Sequence, residues 1–339
     1  MADTSRRRTH FPRPLFPRPL LAAALATAAT LAAVSPAPAA EQAPAGVVKV
    51  SNTVDVRCAF LVYKRAGDWY FPAGAPKGTV WLQHGFSRNK GHLEDAARRY
   101  AAAGFVVFAP NLPSADTFGC TVSNIGNNTD FLNNVADLFG KAADPNDKFG
   151  RSFADAAAKA GRPGLQMPAK FLFSGHSAGG EAVSYVANRL RTEYPTAFAR
   201  LSGLVLLDPV NSFVGLNMAR AFNGLNTTSL PIHAISSPPY TANGQASGTV
   251  ELTTDVHRDF LGIRLTTGSH CDAEGASTDA LCTVLNGTPQ DANVAVLQEF
   301  ATTWATDDVT GTVTATHRPG GSRYESLRTA GAIQTLSGS

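Results

Sequence analysis

The chain has 339 residues, of which 44% are hydrophobic and 16% charged, and its formal net charge is +3. So low a charged fraction, beside 30 glycines and 21 prolines without a collagen-like period, excludes a charge-rich disordered chain, a coiled coil and a collagen. The length suits one large domain or two small ones, either with a sizeable core.

Residues 1–40 carry the pattern of an export signal. Arg6, Arg7, Arg8, Arg13 and Arg18 precede an apolar stretch at 20–34, and Ala37-Pro38-Ala39 offers small residues for cleavage near Ala39 or Ala40. The stretch is shorter than the roughly 20 residues a membrane span needs. These 40 residues hold five of the 29 basic side chains and one of the 26 acidic ones, so the remainder carries a net charge of −1. That remainder lacks the electrostatic footprint of a nucleic-acid binder. The expectation is a secreted protein with no membrane span in its mature chain.

Past a loose segment at 41–46, apolar runs predict strands over 47–56, 59–64 and 78–83, the last ending at His84-Gly85. Leu93, Ala96, Ala97 and Tyr100 recur at helical spacing over 92–103, and Gly104 closes that helix. Residues 105–109 form a continuous apolar run, as in a parallel strand buried on both faces. A helix around 131–139 and another near 152–160 lead to a strand at 171–173 and a helix over 179–190. Strands follow at 201–207, 231–235 and 260–266. Thr288 is placed to cap a helix over 289–305 with proline at its first position. The segment 310–339 is rich in Gly, Ser and Thr and weakly patterned. Alternating strands and helices predict a mostly parallel sheet with helices on both faces, in one domain over 47–309.

Four cysteines, Cys58, Cys120, Cys271 and Cys282, lie beyond the signal. An even count in an exported chain predicts two disulfides. Proximity favours Cys271 with Cys282, which leaves Cys58 with Cys120. No CxxC pair occurs, so no zinc site is expected.

Gly175-His176-Ser177-Ala178-Gly179 matches G-x-S-x-G between a predicted strand and a predicted helix. A sharp turn there exposes the Ser177 hydroxyl at the C-terminal edge of the sheet and points a helix N-terminus at the reaction centre. A serine nucleophile needs a base, and the base needs an orienting acid, in the chain order Ser, acid, His for this sheet type. His270 follows the last apolar strand in a loop that a Cys271–Cys282 bridge would hold, and is the expected base. His257 is the alternative, whereas His233 lies inside a strand and reads as structural. Asp208, at the end of the 201–207 strand in Leu-Leu-Asp-Pro-Val, is the expected acid. Residues 235–240 after the next strand contain no carboxylate, and Glu251 and Asp255 are the nearest alternatives. The backbone N–H groups of Ala178 and Phe86 are the expected oxyanion donors. Leu216, Met218, Phe222 and Phe213 read either as a small cap over the site or as one side of a core helix.

Residues 78–110, the elbow at 175–179, Asp208 and His270 together resemble an α/β-hydrolase over most of residues 50–305. Gly-His-Ser-x-Gly-Gly is similar to cutinase-type polyester hydrolases and chlorophyllases. An acid in Leu-Asp-Pro-Val is similar to chlorophyllases and platelet-activating-factor acetylhydrolases. The resemblance implies an α/β-hydrolase fold and ester hydrolysis without a cofactor or metal, on a small-molecule or polymeric ester. An acyltransferase with the same triad, or a non-catalytic binding protein on the same scaffold, are the alternatives.

Overall fold

A computed structural model describes residues 46–339 except 124 and 213. The expected signal at 1–40 and Phe213 therefore lie outside the described residues. The elements are β1 (Val48–Cys58), β2 (Leu61–Phe71), β3 (Thr79–Gln83), α1 (Glu94–Ala102), β4 (Val106–Pro110), α2 (Thr129–Gly140), α3 (Lys148–Lys159) and β5 (Phe171–His176). There follow α4 (Ala178–Glu193), α5 (Pro195–Phe198), β6 (Leu201–Leu207), α6 (Asn217–Asn226), β7 (Ile232–Ser236) and α7 (Ser247–Asp255). The chain ends with β8 (Gly262–Leu265), α8 (Ala280–Asn286), α9 (Asp291–Thr310), α10 (Ser322–Thr329) and β9 (Ile333–Leu336).

The strands form one sheet in the order β1-β2-β4-β3-β5-β6-β7-β8-β9. From β4 through β8 neighbouring strands are parallel, and antiparallel pairs add β1 and β2 at one edge and β9 at the other. The central strands β3, β4, β5 and β7 are buried along their whole length because helices cover both faces. On one face α2, α3, α4 and α6 pack around Trp69, Trp81, Phe139 and Phe173. On the other, α1 and α9 pack around Tyr100, Phe105 and Trp304. Among the described residues no helix is long and apolar enough to cross a membrane.

Two expectations need correction. The weakly patterned segment 310–339 supplies α10 and the edge strand β9, which pairs antiparallel with β8 and buries Ile333 and Leu336. Four residues are too few to show a period, and partner edge and buried ends alone make the strand. Thr288 and Pro289 stay outside α9, whose cap position is Gln290 in extended backbone. The Gln290 N–H donates to Asp272 Oδ1 at 3.1 Å, which holds this stretch against the loop after β8. Of the residues read either as a small cap or as one side of a core helix, Met218 and Phe222 lie in α6, as the second reading has it. Met218 and Phe222 are buried in the core, while Leu216 is exposed just before the helix.

Candidate active site

The register of the parallel strands sets the site. Gly175 pairs with Gln83 of β3, and His176 pairs with Leu207 of β6. Ser177 and Asp208 therefore leave the same edge of the sheet side by side. Ser177 has φ 57° and ψ −129°, a conformation that L residues rarely adopt, and Asp208 has φ 42°. Such backbone strain persists only where the surroundings over-determine it. Here the Ser177 N–H donates to Leu207 O at 3.1 Å, and Ser177 O accepts from Gly180 N at 2.8 Å and Val210 N at 3.2 Å.

The glycines of the motif are spatial requirements. A Cβ on Gly175 would stand 2.3 Å from Gly179 O, and one on Gly179 would stand 2.3 Å from Gln83 O. Gly85, in the loop after β3, lies against the serine itself. A Cβ there would fall 2.5 Å from Ser177 Cβ and 3.0 Å from its Oγ.

His270 begins a short helical turn after β8. Its Nδ1 donates to Asp208 Oδ2 at 2.6 Å, because a carboxylate can only accept. This leaves Nε2 as the basic nitrogen. Asp208 also accepts from Ser237 N at 2.9 Å and Ser237 Oγ at 2.6 Å. Burial pushes its carboxyl up, but the hydrogen bond and charge of His270 and the two Ser237 donors outweigh this, so the group sits below the ordinary carboxylate value. Asn243 Nδ2 donates to Ser237 Oγ at 2.9 Å and fixes that residue in turn.

The backbone of His270 is also held. Its N–H donates to Tyr240 Oη at 2.7 Å, and its carbonyl accepts from His176 Nε2 at 2.9 Å. Burial, with the charge of His270, drives His176 well below its ordinary value, and burial brings His84 down to about 4. Both imidazoles are therefore neutral at neutral pH.

Ser177, His270, Phe86 and Ala178 line one cavity of about 300 Å³, whose lining also includes Ile125, Leu281 and Leu285. Ala178 is the first residue of α4, so its N–H has no partner within the helix. Among the described residues the Ser177 hydroxyl makes no hydrogen bond to His270. Such bonds commonly tighten only once substrate is bound.

An ion-pair network closes one side of the cavity. Arg88 follows Ser87, which has φ 53°. Its guanidinium takes Glu274 in two parallel hydrogen bonds and reaches Asp279 at 3.0 Å. Glu274 is fully buried and Arg88 nearly so. Asp279 caps α8 by accepting from Cys282 N at 2.9 Å, and also accepts from His92 Nε2 at 3.1 Å. The disulfide Cys271–Cys282 ties α8 to the residue after His270, and Cys58–Cys120 ties the β1–β2 hairpin to the loop after β4. These are the pairings expected from proximity.

The remaining candidates lie elsewhere. His257 is exposed, with Nδ1 2.6 Å from Ser339 O. His233 is buried in β7 against Trp304. Glu251 accepts from Asn211 Nδ2 at 3.3 Å, and among the described residues Asp255 is not part of the cavity lining. Sequence reasoning passed over His176, Ser237, Tyr240, Asn243 and Arg88. Ser237 is legible in the sequence as a hydroxyl donor in the carboxylate-free 235–240 stretch, directly after β7. Among the described residues no cluster of three or more His, Cys, Asp or Glu is placed to hold a metal ion.

The nine-stranded, mostly parallel sheet with helices on both faces and a strand-turn-helix serine defines an α/β-hydrolase fold. A crystal structure of a mutant of the esterase rPPE is similar, with a TM-score of 0.51 and 11% identity, covering 78% of this chain and 84% of that one. No family model and no curated protein sequence matches the chain.

Proposed function

We propose that the protein is a secreted serine carboxylic-ester hydrolase. The observation that carries this reading is the 2.6 Å contact of Asp208 with His270, which lines one cavity with Ser177. Ser177 Oγ attacks the ester carbonyl while His270 Nε2 takes its proton. Asp208 holds the tautomer that leaves Nε2 basic and stabilises the imidazolium. The backbone N–H groups of Phe86 and Ala178 receive the oxyanion, with the α4 N-terminus favouring negative charge there. His270 then returns the proton to the leaving alcohol. Water, activated by the same imidazole, releases the acid from Ser177.

The cavity walls of Phe86, Ile125, Leu281 and Leu285 support an apolar acyl group. Two disulfides support an oxidising destination, consistent with an export signal at 1–40 and a single catalytic domain from residue 47. Turnover of a short nitrophenyl ester tests the reading. Ser177→Ala is expected to abolish it, and Asp208→Asn to lower it about 10⁴-fold with the fold intact. Unchanged turnover in Ser177→Ala contradicts the mechanism, and full activity in Asp208→Asn moves the acid elsewhere.

A further inference from the structure

The most exposed large apolar side chains do not line the cavity. Phe60 is 92% exposed and Phe118 is 94% exposed. Phe60 stands in the two-residue turn between β1 and β2, flanked by the exposed Leu61 and Val62. Phe118 stands on the loop after β4. The Cys58–Cys120 disulfide joins these tips two residues from each phenylalanine. A chain that buries its core this completely has no folding reason to present two phenylalanines on clipped turns.

Their position in the sheet gives the patch a direction. The β2–β4 ladder ends at Gly67 opposite Pro110, the last residue of β4. Residues 61–66 continue past that edge, about 20 Å of extended chain. This is the edge at which Ser177 leaves β5. The second tip is close in sequence to the cavity, since Ser123 and Ile125 of the cavity wall follow shortly after Cys120. Charge around the tips is nearly balanced. Arg57, Lys64 and Arg65 stand against Asp55, which pairs across the ladder with Lys64, and Asp116, which accepts from the Phe118 N–H at 2.6 Å.

From this we infer that the disulfide-clipped tips at Phe60–Val62 and Phe118 are a docking surface for an uncharged acyl-chain interface, and that they bring the cavity mouth onto aggregated ester. The inference rests on the ester-hydrolase reading for its purpose, though not for its binding step. Apolar insertion supplies the attraction, since the local charges nearly cancel, and the disulfide keeps both rings presented together. The substrate class is therefore a neutral lipid ester held in an emulsion or bilayer.

Flotation with neutral phosphatidylcholine vesicles tests the docking step without any catalysis. The native protein is expected to partition onto the vesicles with little dependence on salt. The double variant Phe60→Ser, Phe118→Ser is expected to lose at least about tenfold in partitioning. Neither ring touches the cavity, so the variant should keep its melting temperature and its turnover of a soluble short ester, while hydrolysis of an emulsified triacyl ester falls. The inference is overturned if the native protein stays in solution, if the variant floats equally, or if binding requires anionic lipid and vanishes in salt. A dimer that the same variant abolishes would also overturn it, in favour of a second copy as occupant. Native protein that floats but hydrolyses no ester contradicts only the catalytic reading. Native protein that hydrolyses soluble ester but does not float contradicts only the docking surface.

Discussion

The two sides of the cavity are built by different means. Ser177 and Asp208 are delivered by adjacent parallel strands, and the backbone ladder fixes both, down to the left-handed φ at each. His270 and the Gly85–Arg88 loop come from connections with no ladder of their own. They are held by side chains: Arg88 on Glu274 and Asp279, His176 and Tyr240 on the His270 backbone, and the Cys271–Cys282 bridge. A side built on register tolerates loss of any one side chain outside the chemistry. A side built on side-chain ties does not.

Arg88→Met is the largest expected break in this contrast. It leaves Glu274 fully buried without its cation, and removing one partner of a buried pair costs about 3–5 kcal/mol. The denaturation midpoint should fall accordingly, and ester turnover should fall with it, because the Gly85–Arg88 loop and the His270 loop lose their shared anchor. The double variant Arg88→Met, Glu274→Gln should recover much of the stability. If Arg88→Met is neutral in both readouts, the loop side does not depend on the network.

Glu181 tests the strand side with a smaller effect. It sits in the first turn of α4 and accepts from Ser212 N at 2.8 Å and from Ser212 Oγ, tethering the loop after Asp208. Burial pushes its carboxyl up to about 7, against the lowering effect of Ser212. A folded-state value above the unfolded one means the native state holds the proton longer. Stability from this group is thus complete below about pH 4.5 and declines as pH rises to about 7, by up to about 3 kcal/mol. Glu181→Gln should remove that decline and stabilise the protein at pH 8. Melting curves of both proteins between pH 4 and 8 check this, and parallel curves would contradict it.

The same contrast explains what could be read from the sequence. Five apolar residues before Asp208 and the G-x-S-x-G pattern around Ser177 are local signals, and both sit where the strand order puts them at one edge. His270 was legible because it follows the last parallel strand and precedes a cysteine with a near partner. The ties that hold it were not. Arg88 meets Glu274 across 186 residues and Asp279 across 191, and no periodicity connects such positions. Ser237 and Asn243 likewise act on Asp208 only once β6 and β7 lie side by side. The edge strand β9 escaped because its four residues depend on β8 for their conformation.

The central claim is that Ser177 is a nucleophile activated by His270 and Asp208, and covalent trapping tests it most directly. Incubation with a fluorophosphonate, followed by mass spectrometry of the peptides, should place one phosphonyl group on Ser177. His270→Ala should slow that labelling by orders of magnitude. Labelling at another serine, or none in the folded native protein, would contradict the account.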